Sequence, residues 1–189
     1  MGRIVVTEFV SLDGVIEAPG GGEDYKHGGW AFASERGPEG DKFKLDELVE
    51  AEAQLLGRRT YEGFAAAWPT MKDEAGFAEK MNSMPKYVVS STLSDPEWEN
   101  TTVLSGDFVA DIERVKDEVD GVILVAGSAQ LVQGLLEHGL VDELRLMVFP
   151  VVLGSGKRLF GAGEEKLPLK LAGSRTVGDG IAILTYERG

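Results

Sequence analysis

Cysteine is absent from all 189 residues, so the chain can form neither a disulfide nor a thiolate zinc site. Histidine is almost absent. His27 and His138 are the only two, and their separation disfavours a histidine-rich metal centre. Positive charge is also scarce. Nineteen Lys and Arg stand against 32 Asp and Glu, for a formal net charge of −13. Such a chain repels nucleic acid unless a basic patch stands out locally, and none does. No apolar run approaches the roughly 18 residues of a membrane span. The N-terminus goes straight into Ile4-Val5-Val6, without the basic start and apolar region of a secretory signal. A cytoplasmic protein with no membrane partner is the expectation.

Several motifs are missing as well. No G-x-G-x-x-G follows an apolar strand, and Ser11 lacks the G-x-S-x-G setting of a hydrolase nucleophile. Gly154-Ser155-Gly156-Lys157 looks like the end of a phosphate-binding P-loop. Val151, however, stands where that motif has its first glycine, and Arg158 replaces the magnesium-binding Ser or Thr. A bend between strands is the better reading.

What is present alternates strands with helices. Arg3 to Val10 is a β-branched strand, and Ser11 to Gly14 is the turn after it. Glu17 to Gly40 is a long glycine-rich loop with Tyr25, Trp30 and Phe32, which suits a lid or pocket wall. The pattern predicts a helix over Asp41–Gln54, with Leu45, Leu48 and Val49 on its apolar stripe, and a short strand at Leu55-Leu56. Further helices are predicted over Tyr61–Trp68 and Asp73–Met84, with a strand over Lys86–Val89. A short strand over Thr102–Leu104 and a helix carrying Phe108, Ile112, Val115 and Val119 follow. Val122 to Val125 reads as a strand buried on both faces, and Ser128 as a possible cap for the helix beyond it. Leu144 to Val152 is a further apolar strand interrupted by Pro150. Leu169–Val177 and Ile181–Glu187 flank Gly178-Asp179-Gly180 as a hairpin. The result is one α/β domain over residues 1–189, with a mostly parallel sheet and an antiparallel C-terminal pair.

Ligands of open α/β sheets bind beyond the carboxyl ends of the strands. Three turns there have suitable chemistry: Gly57-Arg58-Arg59-Thr60, Ser90-Ser91-Thr92 and Gly127-Ser128-Ala129-Gln130. They offer arginine charge, hydroxyls and helix N-termini, which are what a dinucleotide phosphate needs. Each alone has a plainer alternative: a tight turn with a cap, a solvated arginine pair, or an ordinary loop. Their conjunction is what points to a dinucleotide. In an acidic chain an anionic ligand depends on such local donors, which adds weight to Arg58-Arg59.

Five segments in order resemble the dihydrofolate reductase superfamily. They are Ser11-Leu12-Asp13-Gly14, Leu56 to Glu62, Tyr87 to Ser91, Ala126 to Leu131, and Pro150 to Gly156. The chain is most similar to the C-terminal reductase domain of the bacterial riboflavin-biosynthesis deaminase-reductase and its stand-alone relatives. The last segment separates it from true dihydrofolate reductases. The resemblance implies the three-layer fold of that superfamily and an NADPH-dependent reductase. It implies phosphate contacts from Arg58, Arg59 and Thr60, and a 2′-phosphate site at Ser90, Ser91 and Thr92. It also implies a pyrophosphate and nicotinamide seat at Gly127, Ser128, Ala129 and Gln130. The family's substrate-binding acid, counted back from Gly57, falls at Asp41, with Glu39 and Asp46 as rivals. An acidic first helical turn explains the same residues. The cysteines of a deaminase half are absent.

The expected reaction is hydride transfer to a small, heterocyclic C=N or C=O substrate. The nearest named activity is 5-amino-6-(5-phosphoribosylamino)uracil reductase. Lys157 and Arg158 are candidate partners for a substrate phosphate. A binding module for a nucleotide or drug, without turnover, is the alternative. The apolar Leu144–Leu153 stretch and the habit of related reductases suggest a homodimer, although a buried strand explains the same residues.

Overall fold

The computed structural model describes residues 1–163 and 165–189. In chain order the elements are β1 (Arg3–Ser11), α1 (Gly37–Glu50), β2 (Ala51–Gly57), α2 (Arg58–Ala67), α3 (Phe77–Ser83), β3 (Lys86–Val89) and β4 (Thr101–Leu104). Then come α4 (Phe108–Glu118), β5 (Val122–Ala126), α5 (Ala129–Glu137), β6 (Glu143–Phe149), β7 (Leu169–Val177) and β8 (Ile181–Arg188). The strands form one sheet in the order β4-β3-β2-β5-β1-β6-β8-β7. The first six run parallel. β8 is antiparallel to β6, and β7 to β8, so the C-terminal hairpin closes one edge as its Gly-Asp-Gly turn indicates.

Alternation along β1 sets the layers. Ile4, Val6 and Val10 face α4 and α5, where they meet Ile112, Val115, Leu131, Val132 and Leu135. Val5 faces the other way, into a cluster with Leu48 of α1, Tyr61 of α2 and Met81 of α3. A third cluster lies under the long loop, where Trp30 and Ala31 cover Met147, Phe149, Val177, Ile181 and Ile183. Val122 to Val125 are all buried because β5 has a strand on each side and helices on both faces.

Several boundaries differ from the sequence expectation, two of them for clear local reasons. The predicted helix 41–54 begins earlier, at Gly37, and ends at Glu50, while Ala51 to Gln54 belong to β2. Ala51-Glu52-Ala53 alternates inside and outside as a strand does, and pairing between β3 and β5 overrides the helical propensity of Ala and Glu. Ending at Glu50 also turns the helix. Leu48 is buried as the stripe requires, but Glu47 is 2% exposed and Val49 63% exposed, so the buried face runs through Glu47 instead of Val49. β6 stops at Phe149 because Pro150 has no N–H to continue the ladder.

Candidate functional site

Because β3, β2, β5 and β1 are parallel neighbours, their C-terminal ends lie side by side. Ser90, Gly57, Gly127 and the Ser11 turn therefore share one edge of the sheet. Arg58, Arg59 and Thr60 form the first turn of α2, with Gly57 as its N-cap, instead of a separate turn ahead of it. Gly127 and Ser128 precede α5, both with positive φ (68° and 63°). A left-handed conformation is ordinary for glycine but costs about 1 kcal/mol or more for serine.

Ser128 does not cap α5 with its side chain. Its hydroxyl instead accepts the Gly57 N–H at 3.0 Å and donates to Thr60 Oγ1 at 2.8 Å. A β-carbon on Gly127 would stand 2.9 Å from Thr60 Oγ1, and one on Gly57 2.7 Å from Ser128 Oγ. Two helix N-termini are thus held in contact by side chains that leave their own first-turn N–H groups free of side-chain caps. Helices α3 and α4 differ, while α1 likewise lacks a side-chain cap. Asp107 caps α4 through the Ala110 N–H, and Asp73 accepts the Phe77 and Ala78 N–H groups of α3. The paired, uncapped ends of α2 and α5 form a positive pole suited to a phosphate.

The two arginines are not equivalent. Arg58 is tied to Glu62, one turn along α2, at 3.0 Å. Arg59 is exposed and has no ion-pair partner among the described residues. Ser90 Oγ accepts the N–H groups of Thr92 and Leu93, holding the turn after β3 in shape, while Ser91 and Thr92 are exposed. Gln130 is exposed on the first turn of α5, next to half-buried Ala129. The sheet therefore brings all ten predicted phosphate-site residues to one edge.

Asp41 lies elsewhere. It sits on the outer side of α1, 64% exposed, in an ion pair with Arg36 at 3.0 Å. Three groups that sequence reasoning passed over occupy the inner side. Lys44 Nζ donates to Thr7 Oγ1 at 2.8 Å and to Glu47 Oε2 at 2.6 Å, and Thr7 Oγ1 donates to the same carboxylate oxygen at 2.9 Å. Arg36 and Lys44 both lie over the ring of Phe9, and Phe149 stacks edge-on against Phe9 and Trp30. The signal for Lys44 and Glu47 was their i, i+3 spacing, overlooked because the apolar stripe was drawn through Val49.

Around the site, the long loop is an ordered wall. Trp30 Nε1 donates to the Glu17 carbonyl, and the Tyr25 hydroxyl donates to the Ser155 carbonyl at 2.6 Å. The Gly154-Ser155-Gly156-Lys157 bend already has an anion of its own. The Asp13 carboxylate accepts the Leu153 and Gly154 N–H groups and the Ser11 hydroxyl. These bonds, the Ser11 hydroxyl first, hold the Asp13 carboxyl well below the usual carboxylate range. Arg158 donates to the Asp13 carbonyl, and the Lys157 N–H donates to Glu17. This bend is a clasp between β1 and β6, not a phosphate loop.

Glu8 is the other residue the sequence did not single out. It is 4% exposed on β1, facing the α5 side, and burial raises its carboxyl to about 8 against the weaker pull of Lys44. A broad concavity of about 720 Å³ lies on the far side of α2, where Glu62, Asp95, Glu97 and Glu99 give it the wrong sign for phosphate. No helix among the described residues is long and apolar enough to cross a membrane.

Comparison with known proteins bears on the family and the fold. The family model for the RibD C-terminal domain matches residues 3–183. Two Bacillus subtilis (strain 168) proteins described as uncharacterized are similar over nearly their whole length. YyaP is 30% identical, covering 98% of this chain and 94% of its own. YwjB is 29% identical, covering 96% and 95%. Among solved structures, a Shewanella sp. PV-4 protein provisionally assigned to riboflavin biosynthesis superposes with TM-score 0.79 at 23% identity, over 99% of both chains. A pyrimidine reductase-like protein of Corynebacterium diphtheriae superposes with TM-score 0.62 at 13% identity, over 99% of this chain and 92% of that one. These likenesses show a shared dihydrofolate reductase-like fold.

Proposed function

The chain belongs to the RibD C-terminal domain family, a reductase-like family, and we propose that it is an NADPH-dependent reductase of a small heterocyclic substrate. The observation that carries the cofactor reading is the contact between Ser128 and Thr60, which joins two uncapped helix N-termini beside a free arginine. The bound nicotinamide would supply the hydride. Arg59 and the first-turn N–H groups of α2 and α5 would hold the phosphates. Ser90, Ser91 and Thr92, on the neighbouring strand end, would take the 2′-phosphate, and Arg58 would join them once released from Glu62. Gly127, Ser128, Ala129 and Gln130 would seat the pyrophosphate and nicotinamide.

The substrate would lie on the α1 side of β1, against Phe9 and under the loop that carries Trp30. An aromatic wall flanked by two cations suits a flat, electron-rich heterocycle. The riboflavin-pathway substrate, a ribosylamino-pyrimidine phosphate, has that character. With Lys157 and Arg158 engaged in the clasp and Lys44 held by Thr7 and Glu47, Arg36, which lies over Phe9, is the better-placed partner for its phosphate. Asp41 was the first candidate for proton source or substrate anchor. Lys44 competes for the role because its ammonium is turned inward, 18% exposed, on Thr7. Exposed Leu12, Val152 and Phe160 would suit a homodimer surface, and a reductase of this kind would act in the cytoplasm.

The test is a titration of the full chain with NADPH and NADH, followed by NADPH oxidation against a panel of pyrimidine and pterin substrates. Saturable, NADPH-preferring binding with turnover supports the proposal. Binding without turnover on any substrate favours a non-catalytic module, and no binding removes the dinucleotide reading.

A further inference from the structure

Glu8 occupies a place where a charge would matter. It lies on β1 three residues before that strand's last residue, Ser11, on the face shared with Val6 and Val10, level with the end of β5, where Thr7 pairs with Ala126. The next residue of that chain is Gly127, which the β1–β5 register sets level with Glu8 and whose backbone only weakly favours the ionised carboxylate. Its Oε1 is buried and has no hydrogen-bond partner. An ionised carboxylate with an orphan oxygen is costly in an apolar setting, whereas a neutral carboxyl is tolerated. The neighbours leave it uncompensated. β6 offers Leu146 opposite it, and β5 offers Ala126 beside Thr7. The one titratable residue of α5, Glu137, is at the far end of that helix. Lys44 of α1 attracts it across the sheet but is already committed to Thr7 and Glu47.

Directly beyond Gly127 is the N-terminus of α5, the positive pole assigned above to a phosphate. An ionised Glu8 and a bound phosphate would compete for that same pole. We propose that Glu8 is a positioning residue for the cofactor site. Neutral, it leaves the positive pole beyond the Gly127 turn to the ligand; ionised, it sets a negative charge beneath the turn and weakens dinucleotide binding. The protein's affinity for its cofactor is thereby coupled to pH on the alkaline side of neutrality. By linkage, phosphate binding favours the neutral form, so the complex takes up protons where the free protein has lost them. This inference rests on the dinucleotide reading.

The experiment is calorimetric titration of the full chain with NADPH and with NADH between about pH 6.5 and pH 9.5, in buffers of different ionisation enthalpy. NADH has no 2′-phosphate, which removes the ligand's own titration. Wild-type affinity for both should fall about tenfold between pH 7 and pH 9, with net proton uptake near pH 8.5. Glu8→Gln keeps the shape of the neutral acid. It should match wild type at pH 7, change less than about twofold by pH 9, and take up no proton. Glu8→Met, neutral at every pH, should likewise give a flat profile, and it stands in if the glutamine variant does not fold. Parallel pH profiles in wild type and Glu8→Gln overturn the proposal alone. No binding of either dinucleotide at pH 6.5 by wild type overturns the dinucleotide reading, and this proposal with it.

Discussion

Ser128 Oγ donates to Thr60 Oγ1 at 2.8 Å, and that bond makes one unit of two helix N-termini separated by 68 residues. The same hydroxyl accepts the Gly57 N–H, so one side chain holds the N-cap of α2 and the first turn behind it. The left-handed backbone of Ser128 is the local cost of that arrangement.

Ser128→Ala removes both hydrogen bonds and leaves the backbone strain. It should lower stability by about 1–3 kcal/mol, since the Gly57 N–H loses its partner. NADPH affinity should drop at least about tenfold. Urea unfolding and calorimetry check the two effects. Unchanged affinity would mean that the junction is structural only.

Arg59→Ala should weaken NADPH about tenfold to a hundredfold, the range for losing a charge-assisted hydrogen bond. Arg58→Ala should cost less, because Glu62 already engages that guanidinium. Replacing both should hurt NADPH more than NADH. Equal losses in direct titrations would show that the pair does not read the 2′-phosphate.

On α1, Asp41→Asn should change kcat/KM less than about threefold, and Lys44→Met should lower it more than about a hundredfold, the scale of lost proton transfer. Steady-state NADPH oxidation with an accepted substrate decides it. The reverse order would restore Asp41 as the proton source.

Gly178 has φ 50° at the tip of the β7–β8 hairpin, where a β-carbon would stand 2.0 Å from the Glu35 carbonyl oxygen. Asp179 completes the contact by donating its N–H to Glu35 and accepting the Glu35 N–H on its carboxylate. The hairpin thereby pins the start of α1. Gly178→Ala should destabilise by about 3 kcal/mol or more through the clash and the left-handed backbone. Denaturant unfolding measures it, and a loss below about 1 kcal/mol would mean that the turn relaxes freely.

Glu8 also predicts a pH dependence of the unliganded protein. Its folded carboxyl is raised from 4.5 to about 8, so the folded state holds a proton that the unfolded state has released in that window. The associated stability is fully present below pH 4.5, falls as pH rises, and is gone above about pH 8. Relative to wild type, Glu8→Gln should therefore gain stability across that window, on the order of several kcal/mol at its upper end. Thermal unfolding of both proteins from acid to alkaline pH tests this, and parallel curves would contradict it.

Much of the fold was legible locally. The uninterrupted Val122–Val125 run, the Gly-Asp-Gly turn and Pro150 carry their meaning in short windows, because burial on both faces, positive φ and a missing N–H act on neighbouring residues. The three strand-end turns were also legible, since glycine, hydroxyl and arginine after an apolar run is a local pattern. Their adjacency was not, because it depends on a strand order that brings β2, separated in sequence by two strands and three helices, beside β5. The buried side of α1 was less legible for a related reason. A helical stripe of Leu45, Leu48 and Val49 maximises apolar burial, but the tertiary structure buries Glu47 beside Thr7, Lys44 and Arg145, where paired charges offset the loss.

Residue by residue, then, the sequence determined most elements, their turns and the chemical inventory of the candidate phosphate site. Only the tertiary structure decided that Ser128 would meet Thr60, that Arg59 and not Arg58 would be the free cation, and that Glu8 would lie beneath the glycine turn with an oxygen unpaired. Local pattern governs what a segment can form. Which partner a side chain finds, and how much water it loses, depends on strands distant in sequence.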